Sequence, residues 1–335
     1  MNNRVLTASL IAAAMLVSTN AVTPRNAEAA AKLSMVYPFP DFLDYTKLCK
    51  KLANSINARS KGLIELNVLP FNSVGMFQQG PAVKSGRVDM ACYPAAFYAR
   101  SIPENEAVST SNSSPLSVRG NGGHDMLDKI HQQYFNVKYL GWTISGNRFR
   151  IYMKNKPEWT KDGLLDLKGV KLRNNPIYGA FFRALKGSTH NMKATQVYAA
   201  LEKRAVNASA WTNLGLQGLK WDKFLRHAVK PDFYQTDIGW IVNLDRWNKL
   251  DSTVKKLLQT AVTEHSDSSR SYLEGLAQNE EAKLTKGGMQ FHTVPSPNAY
   301  LKIAVDSAYD RMTARLKKTK RGAAHVAKLR SLYQK

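Results

Sequence analysis

A chain of 335 residues that is 44% apolar and 10% aromatic can bury a large core, is expected to form two domains, and is too apolar to be intrinsically disordered. Its formal net charge of +23 comes from basic residues spread along the whole sequence, which argues against a dedicated nucleic-acid module. The densest basic run, Arg311 to Lys335, holds nine Lys or Arg and no acid; it reads as a solvated helical tail in preference to a polyanion site.

The first residues are a segment apart. Arg4 supplies a short positive region, Val5 to Val17 an apolar core, and Ala27-Glu28-Ala29 a small-x-small cleavage site, the pattern of a secretory signal peptide over residues 1–29. The apolar run is too short for a spanning helix and no later segment is long enough, so a periplasmic, exported protein is expected. Lys32 to Tyr37 reads as a strand closed by Pro38 and Pro40. Phe42, Tyr45, Leu48, Cys49, Leu52 and Ile56 recur at helical spacing up to Lys61-Gly62, and Ile64 to Leu69 is a second strand, which makes an α/β unit with parallel pairing. Met76 to Lys84 is a short helix and Val88 to Tyr93 a buried strand. Ser109 to Gly123 is a Ser-, Asn- and Gly-rich loop, and His124 to Phe135 a helix. Cys49 and Cys92 are the two cysteines; a disulfide and two buried free thiols are equally compatible with their positions.

Tyr139 to Trp142 and Arg148 to Lys154 look like strands, and Pro157 to Leu165 a surface connection. The second half repeats the alternation: a strand from Val170, a helix from Ile177, a short strand at His190-Asn191-Met192, a helix from Thr195 to Lys203, and strands at Val206 to Trp211 and Ile238 to Leu244. Asp251 to Lys286 is one long helical pattern with Val254, Leu257, Leu258, Ala261 and Val262 on one face. Gln290 to Val294 is a last strand, and helices follow from Pro297. The expected architecture is α/β with two lobes and a ligand cleft between them. Residues 30–150 form mainly the first lobe, 151–250 mainly the second, and 251–335 a long helix plus C-terminal helices packing across both.

Motifs for chemistry are missing. No zinc-type spacing, P-loop, dinucleotide glycine motif, HExxH or GxSxG occurs, no carboxylate pair stands out as acid and base, and only His124 and His131 share a helix. The chain reads as a binding protein without metal or cofactor. A periplasmic enzyme acting on carboxylic acids and an exported polyanion-binding protein are the alternatives.

One residue stands out on chemical grounds. Asp166 and Gly169 make a turn, Val170-Lys171-Leu172-Arg173 alternates like a strand, and Pro176 opens a helix. Arg173 at such a strand end offers the rigid donor fork that matches a carboxylate in two-point geometry. Taken alone, the position favours a surface salt bridge.

The order Leu167-Lys168-Gly169-Val170-Lys171-Leu172-Arg173, Tyr178, Gln196-Val197-Tyr198-Ala199-Ala200-Leu201-Glu202, Val206-Asn207-Ala208 and Val242 to Leu250 resembles the periplasmic solute receptors of tripartite ATP-independent (TRAP) transporters. Val68-Leu69-Pro70 and Ala82 to Met90 extend the resemblance over nearly the whole mature chain. It implies a receptor that delivers an organic acid to membrane subunits, with Arg173 on the ligand carboxylate. A second family arginine falls at Arg148 or Arg150, which share one face of their strand. Asn207-Ala208-Ser209-Ala210-Trp211 departs from the pattern: Ala210 stands where some relatives carry an acid that binds a bridging cation, so no metal is expected. Trp211 matches their tryptophan and suits a ligand with an aromatic or apolar body. Tyr178, Asn213, Tyr93 and Tyr234 are further candidates for a polar wall, and Phe233 for the core.

Overall fold

The computed structural model describes residues 30–319 and 321–334; the signal peptide expected over residues 1–29 lies outside them. Strand β1 (Ala31–Val36) runs into helix α1 (Asp44–Arg59), β2 (Ile64–Val68), α2 (Gln79–Lys84) and β3 (Met90–Pro94). β1 pairs in parallel with both β2 and β3, as the strand–helix–strand spacing predicts. α1 buries Tyr45, Leu48, Cys49, Leu52 and Ile56 along one stripe, with Asp44 in its first turn and Arg59 in its last, each at the favourable end of the helix dipole. Lys61 and Gly62, both at positive φ, turn the chain out of it.

Cys49 of α1 and Cys92 of β3 form a disulfide, with Cα atoms 6.0 Å apart and a sequence separation of 43, which decides between the two alternatives open in the sequence. A loop of that size restricts the unfolded chain by about 4 kcal/mol. The Cys49→Ala/Cys92→Ala variant should therefore lose roughly that much in denaturant unfolding relative to the oxidised protein. Coincident unfolding curves would show that the crosslink adds nothing.

Helices α3 (Glu106–Thr110), α4 (Pro115–Gly120) and α5 (Gly123–Phe135) follow. The stretch 109–123, expected to be loop, contains α4: the Ser114 hydroxyl accepts from the Ser117 amide at 3.1 Å and Pro115 occupies the first helical position. Ser, Asn and Gly here are capping residues as well as turn formers. Strands β4 (Val137–Ile144) and β5 (Arg148–Met153) lead to a small hairpin, β6 (Glu158–Trp159) with β7 (Leu165–Asp166), inside the expected surface connection. Then come β8 (Lys171–Asn174), α6 (Gly179–Ala184), β9 (Ser188–Asn191), α7 (Ala194–Glu202), β10 (Ala208–Thr212), β11 (His227–Gln235) and β12 (Ile238–Asn243). β11 escapes a sequence reading because Pro231 interrupts its alternation, and its ladder with β5 shifts register between Val229 and Phe233. The chain ends with α8 (Leu244–Lys249), α9 (Ser252–Lys286), β13 (Gln290–Thr293), α10 (Pro297–Lys317) and α11 (Val326–Tyr333). Among the described residues no helix is long and apolar enough to cross a membrane.

The strands form two main sheets, β2-β1-β3-β12-β4 and β13-β11-β5-β10-β8-β9, one for each lobe. The chain passes between them at residues 145–147 and again at Thr236-Asp237. The two passages are tied together, since the Thr236 amide donates to Asn147 O at 2.9 Å and the Trp142 indole donates to Thr236 O at 2.8 Å. Helix α9, 35 residues long and capped by Asp251, which accepts from the Thr253 amide, runs along both sheets. Ser266 and Ser269 donate to Trp142 O and Thr143 O beside the first, while Glu280 accepts from the Gly215 and Gln217 amides beside the second.

The basic C-terminal run is not a solvated tail, and that reading is corrected. Arg311 and Arg315 both pair with Glu106, while Arg321 and His325 pair with Glu104; both acids are fully buried. Leu329, Leu332 and Tyr333 of α11 are buried as well. Acids more than 200 residues away in sequence turn an apparently free positive segment into a docked one.

Candidate functional site

β8 lies between β10 and β9, with Arg173 opposite Ser209 on one side and His190 on the other. In this interior position Arg173 is only 1% exposed. Its Nε and Nη2 donate to Met192 O at 3.2 and 3.1 Å, and Nη1 donates to the Tyr178 hydroxyl, which in turn donates to Ala210 O at 2.8 Å. The rings of Tyr178, Trp211 and Trp221 stand 5.9 to 6.0 Å from the guanidinium carbon. Among the described residues no carboxylate pairs with it. A buried cation held by neutral oxygens and ring faces is a costly arrangement unless an anion completes it.

Arg173 lines a narrow cavity between the sheets, with about 30 Å³ of free space. The first sheet, α1 and the loops beside them contribute Phe39, Tyr45, Pro94, Phe97 and Ile238, the second sheet and its loops Phe149, Asn175, Ile177, Trp211 and Thr212, and the second passage between the sheets Thr236 and Asp237. Trp211 spends its indole N–H on Leu214 O at 3.1 Å and sets its ring edge-on to Phe39 and Trp221, so it offers the cavity an apolar wall. The Tyr45 hydroxyl shares a 2.5 Å hydrogen bond with Thr212 Oγ1, and burial pushes its pKa well above the usual tyrosine value. Asp237 is 1% exposed and its Oδ2 accepts from the Ala96 amide at 2.6 Å; burial pushes its carboxyl up to about 7. A wider groove, reached past Phe97 and Asn175, carries Arg100, Arg183, Lys193, Arg311 and Arg315.

Of the residues singled out in the sequence, Arg173 and Trp211 line the cavity and Tyr178 orients Arg173 from behind. Arg148 and Arg150 do not reach it. Strand alternation sends Phe149 inward and both arginines to the opposite face, where Asp232 and Glu281 hold Arg150 at 2.5 to 2.9 Å and burial lowers the pKa of Arg148. Asn213 sits with them, donating to Asp232 at 3.3 Å. The hydroxyls of Tyr93 and Tyr234 are taken by Met76 O and Ala304 O, and Phe233 packs on Phe181 in the core. Ala210 lies buried in β10 behind the Arg173–Tyr178 contact, and among the described residues no group of three His, Cys, Asp or Glu is placed to hold a metal. Sequence reasoning missed Thr236 and Asp237. The available signal was a polar Gln-Thr-Asp triplet wedged between two apolar runs, in a chain poor in acids.

A family model described as bacterial extracellular solute-binding protein, family 7, matches residues 40–316. By sequence, a monocarboxylate 2-oxoacid-binding periplasmic protein of Nostoc sp. is 22% identical over 284 residues, which is 80% of this chain and 74% of that protein. By structure, a TRAP periplasmic solute binding protein from Desulfovibrio salexigens with bound orotic acid matches with a TM-score of 0.77 at 16% identity, over 90% of this chain and 97% of that one. An extracytoplasmic solute receptor of Bordetella pertussis binding pyroglutamic acid matches with a TM-score of 0.75 at 14% identity, over 91% and 99%. The family is one of solute-binding receptors and not of enzymes. The resemblance to TRAP-type receptors therefore holds in family and in fold, and the chain belongs to bacterial extracellular solute-binding protein family 7.

Proposed function

We propose that this chain is the periplasmic receptor of a TRAP transporter, which holds an organic acid with its carboxylate on Arg173 and delivers it to the membrane subunits. The observation that carries this reading is a fully buried guanidinium, without an acidic partner among the described residues, in the wall of an aromatic-lined cavity between the two sheets. The 2-oxoacid, orotate and pyroglutamate named for its relatives are all carboxylic acids. The neighbouring groove of four arginines and a lysine concentrates anions before they enter. The sheets close by rotating about the two tied passages at residues 145–147 and 236–237. Closure excludes water and strengthens the guanidinium contact, and the ligand drives it only through the extra contacts it makes in the closed form. The closed receptor then docks on the membrane subunits.

A thermal-shift screen of organic acids at fixed salt tests this. A ligand at a hundred times its Kd stabilises the folded state by about 2.7 kcal/mol, or about 4 °C for a chain of this size, and it should be recovered unchanged afterwards. If no organic acid shifts the transition while polyanions bind with steep salt dependence, the receptor reading is overturned.

A further inference from the structure

Two polar features of opposite kind line the cavity. Arg173 supplies a cation without an acidic partner, and Thr236-Asp237 a carboxyl without a basic one. Among the described residues no lysine or arginine pairs with Asp237, and no ion pair joins it to Arg173. The ionisable groups around Asp237 are Tyr93 of β3, Tyr98, Tyr139 of β4 and Glu106 of α3, of which none is a cation. Beside it Thr236 lines the same cavity, and its buried hydroxyl makes no hydrogen bond among the described residues.

The rings of Phe39, Tyr45, Phe97, Phe149 and Trp211 line the same cavity, and aromatic faces attract cations as well as apolar carbon. A simple carboxylic acid would satisfy Arg173 and leave Asp237 and Thr236 facing its carbon skeleton. A molecule carrying a carboxylate and an N–H-bearing cation satisfies both.

We propose that the ligand is a small zwitterion of the amino-acid class, its carboxylate on Arg173 and its ammonium against Asp237 and Thr236. This rests on the reading that Arg173 holds a carboxylate. Burial holds the empty receptor's Asp237 near pH 7, so binding an ammonium there favours the ionised carboxylate and displaces its proton. Affinity then rises as the pH goes up through that value. A neutral acceptor hydrogen-bonded to the protonated carboxyl would show the reverse.

The test is calorimetry with amino acids and their 2-hydroxy and 2-oxo counterparts, on the parent protein, Asp237→Asn and Arg173→Ala. The proposal expects amino acids to bind best and to lose about a hundredfold in affinity on Asp237→Asn. The hydroxy and oxo acids should change by much less, and amino-acid affinity should increase from about pH 5.5 to about pH 8. If hydroxy or oxo acids bind as tightly as amino acids and Asp237→Asn treats all alike, the zwitterion assignment is overturned while the carboxylate receptor stands. If Arg173→Ala binds as well as the parent, or no carboxylate binds at all, the receptor reading falls first and takes this one with it. A thermal transition near the parent's for Asp237→Asn separates a lost contact from a failed fold.

Discussion

Arg173→Ala is expected to weaken binding of the organic acid by about two orders of magnitude, roughly 3 kcal/mol, while the protein stays folded. The size follows from where the guanidinium sits. It is 1% exposed, in the wall of a cavity whose other lining is mostly ring and methyl carbon, so water cannot replace it on the carboxylate. The small effect on folding follows from its partners. Met192 O and the Tyr178 hydroxyl give it hydrogen bonds but no countercharge, so the empty receptor loses contacts and is relieved of an uncompensated charge at once. Tyr178 keeps its bond to Ala210 O. Arg173→Lys should recover only part of the affinity, because an ammonium lacks the planar two-point fork. Unchanged calorimetric affinity in Arg173→Ala would sink the assignment.

Glu106→Ala is expected to cost about 3 to 5 kcal/mol of stability, the usual consequence of removing one member of a buried ion pair. Glu106 is fully buried beneath α10. It faces Arg311, with its side chain 10% exposed, and Arg315, which is more open at 34%, so the loss falls mainly on Arg311. That arginine also donates to Ile177 O at 2.9 Å and thereby joins α10 to the chain entering α6. Hydrogen exchange across Pro297–Lys317 and Val326–Tyr333 should accelerate along with the lower unfolding midpoint. A variant within about 0.5 kcal/mol of the parent, the range of an ordinary surface substitution, would mean that apolar packing alone docks the C-terminal helices.

What could be read from the sequence was whatever is recorded locally. The stripe of α1, the length of α9 and the apolar run of β12 are periodic signals of neighbouring residues, and each element lies where its pattern puts it. β11 was hidden because Pro231 carries a local signal opposite to the structure formed, and α4 because its cap residues Ser114 and Pro115 are turn formers as well. Arg173 was recognisable as a candidate only through the run that ends on it. Partners far away in the chain were beyond reach: Asp232 and Glu281 lie 82 and 131 residues from Arg150, and their pull decides which way that side chain is used. The same holds for Asp237, whose surroundings come from Ala96, 141 residues earlier, and from a cavity that needs both sheets to exist.

Strand β12 lies between β3 and β4 and is antiparallel to both, so the sheet begun by the N-terminal third of the chain stays open along its middle until residue 243 is available. A nascent polypeptide that ends earlier offers two unfilled strand edges, which recruit foreign strands unless a chaperone shields them. The order of synthesis thus delays closure of the first sheet.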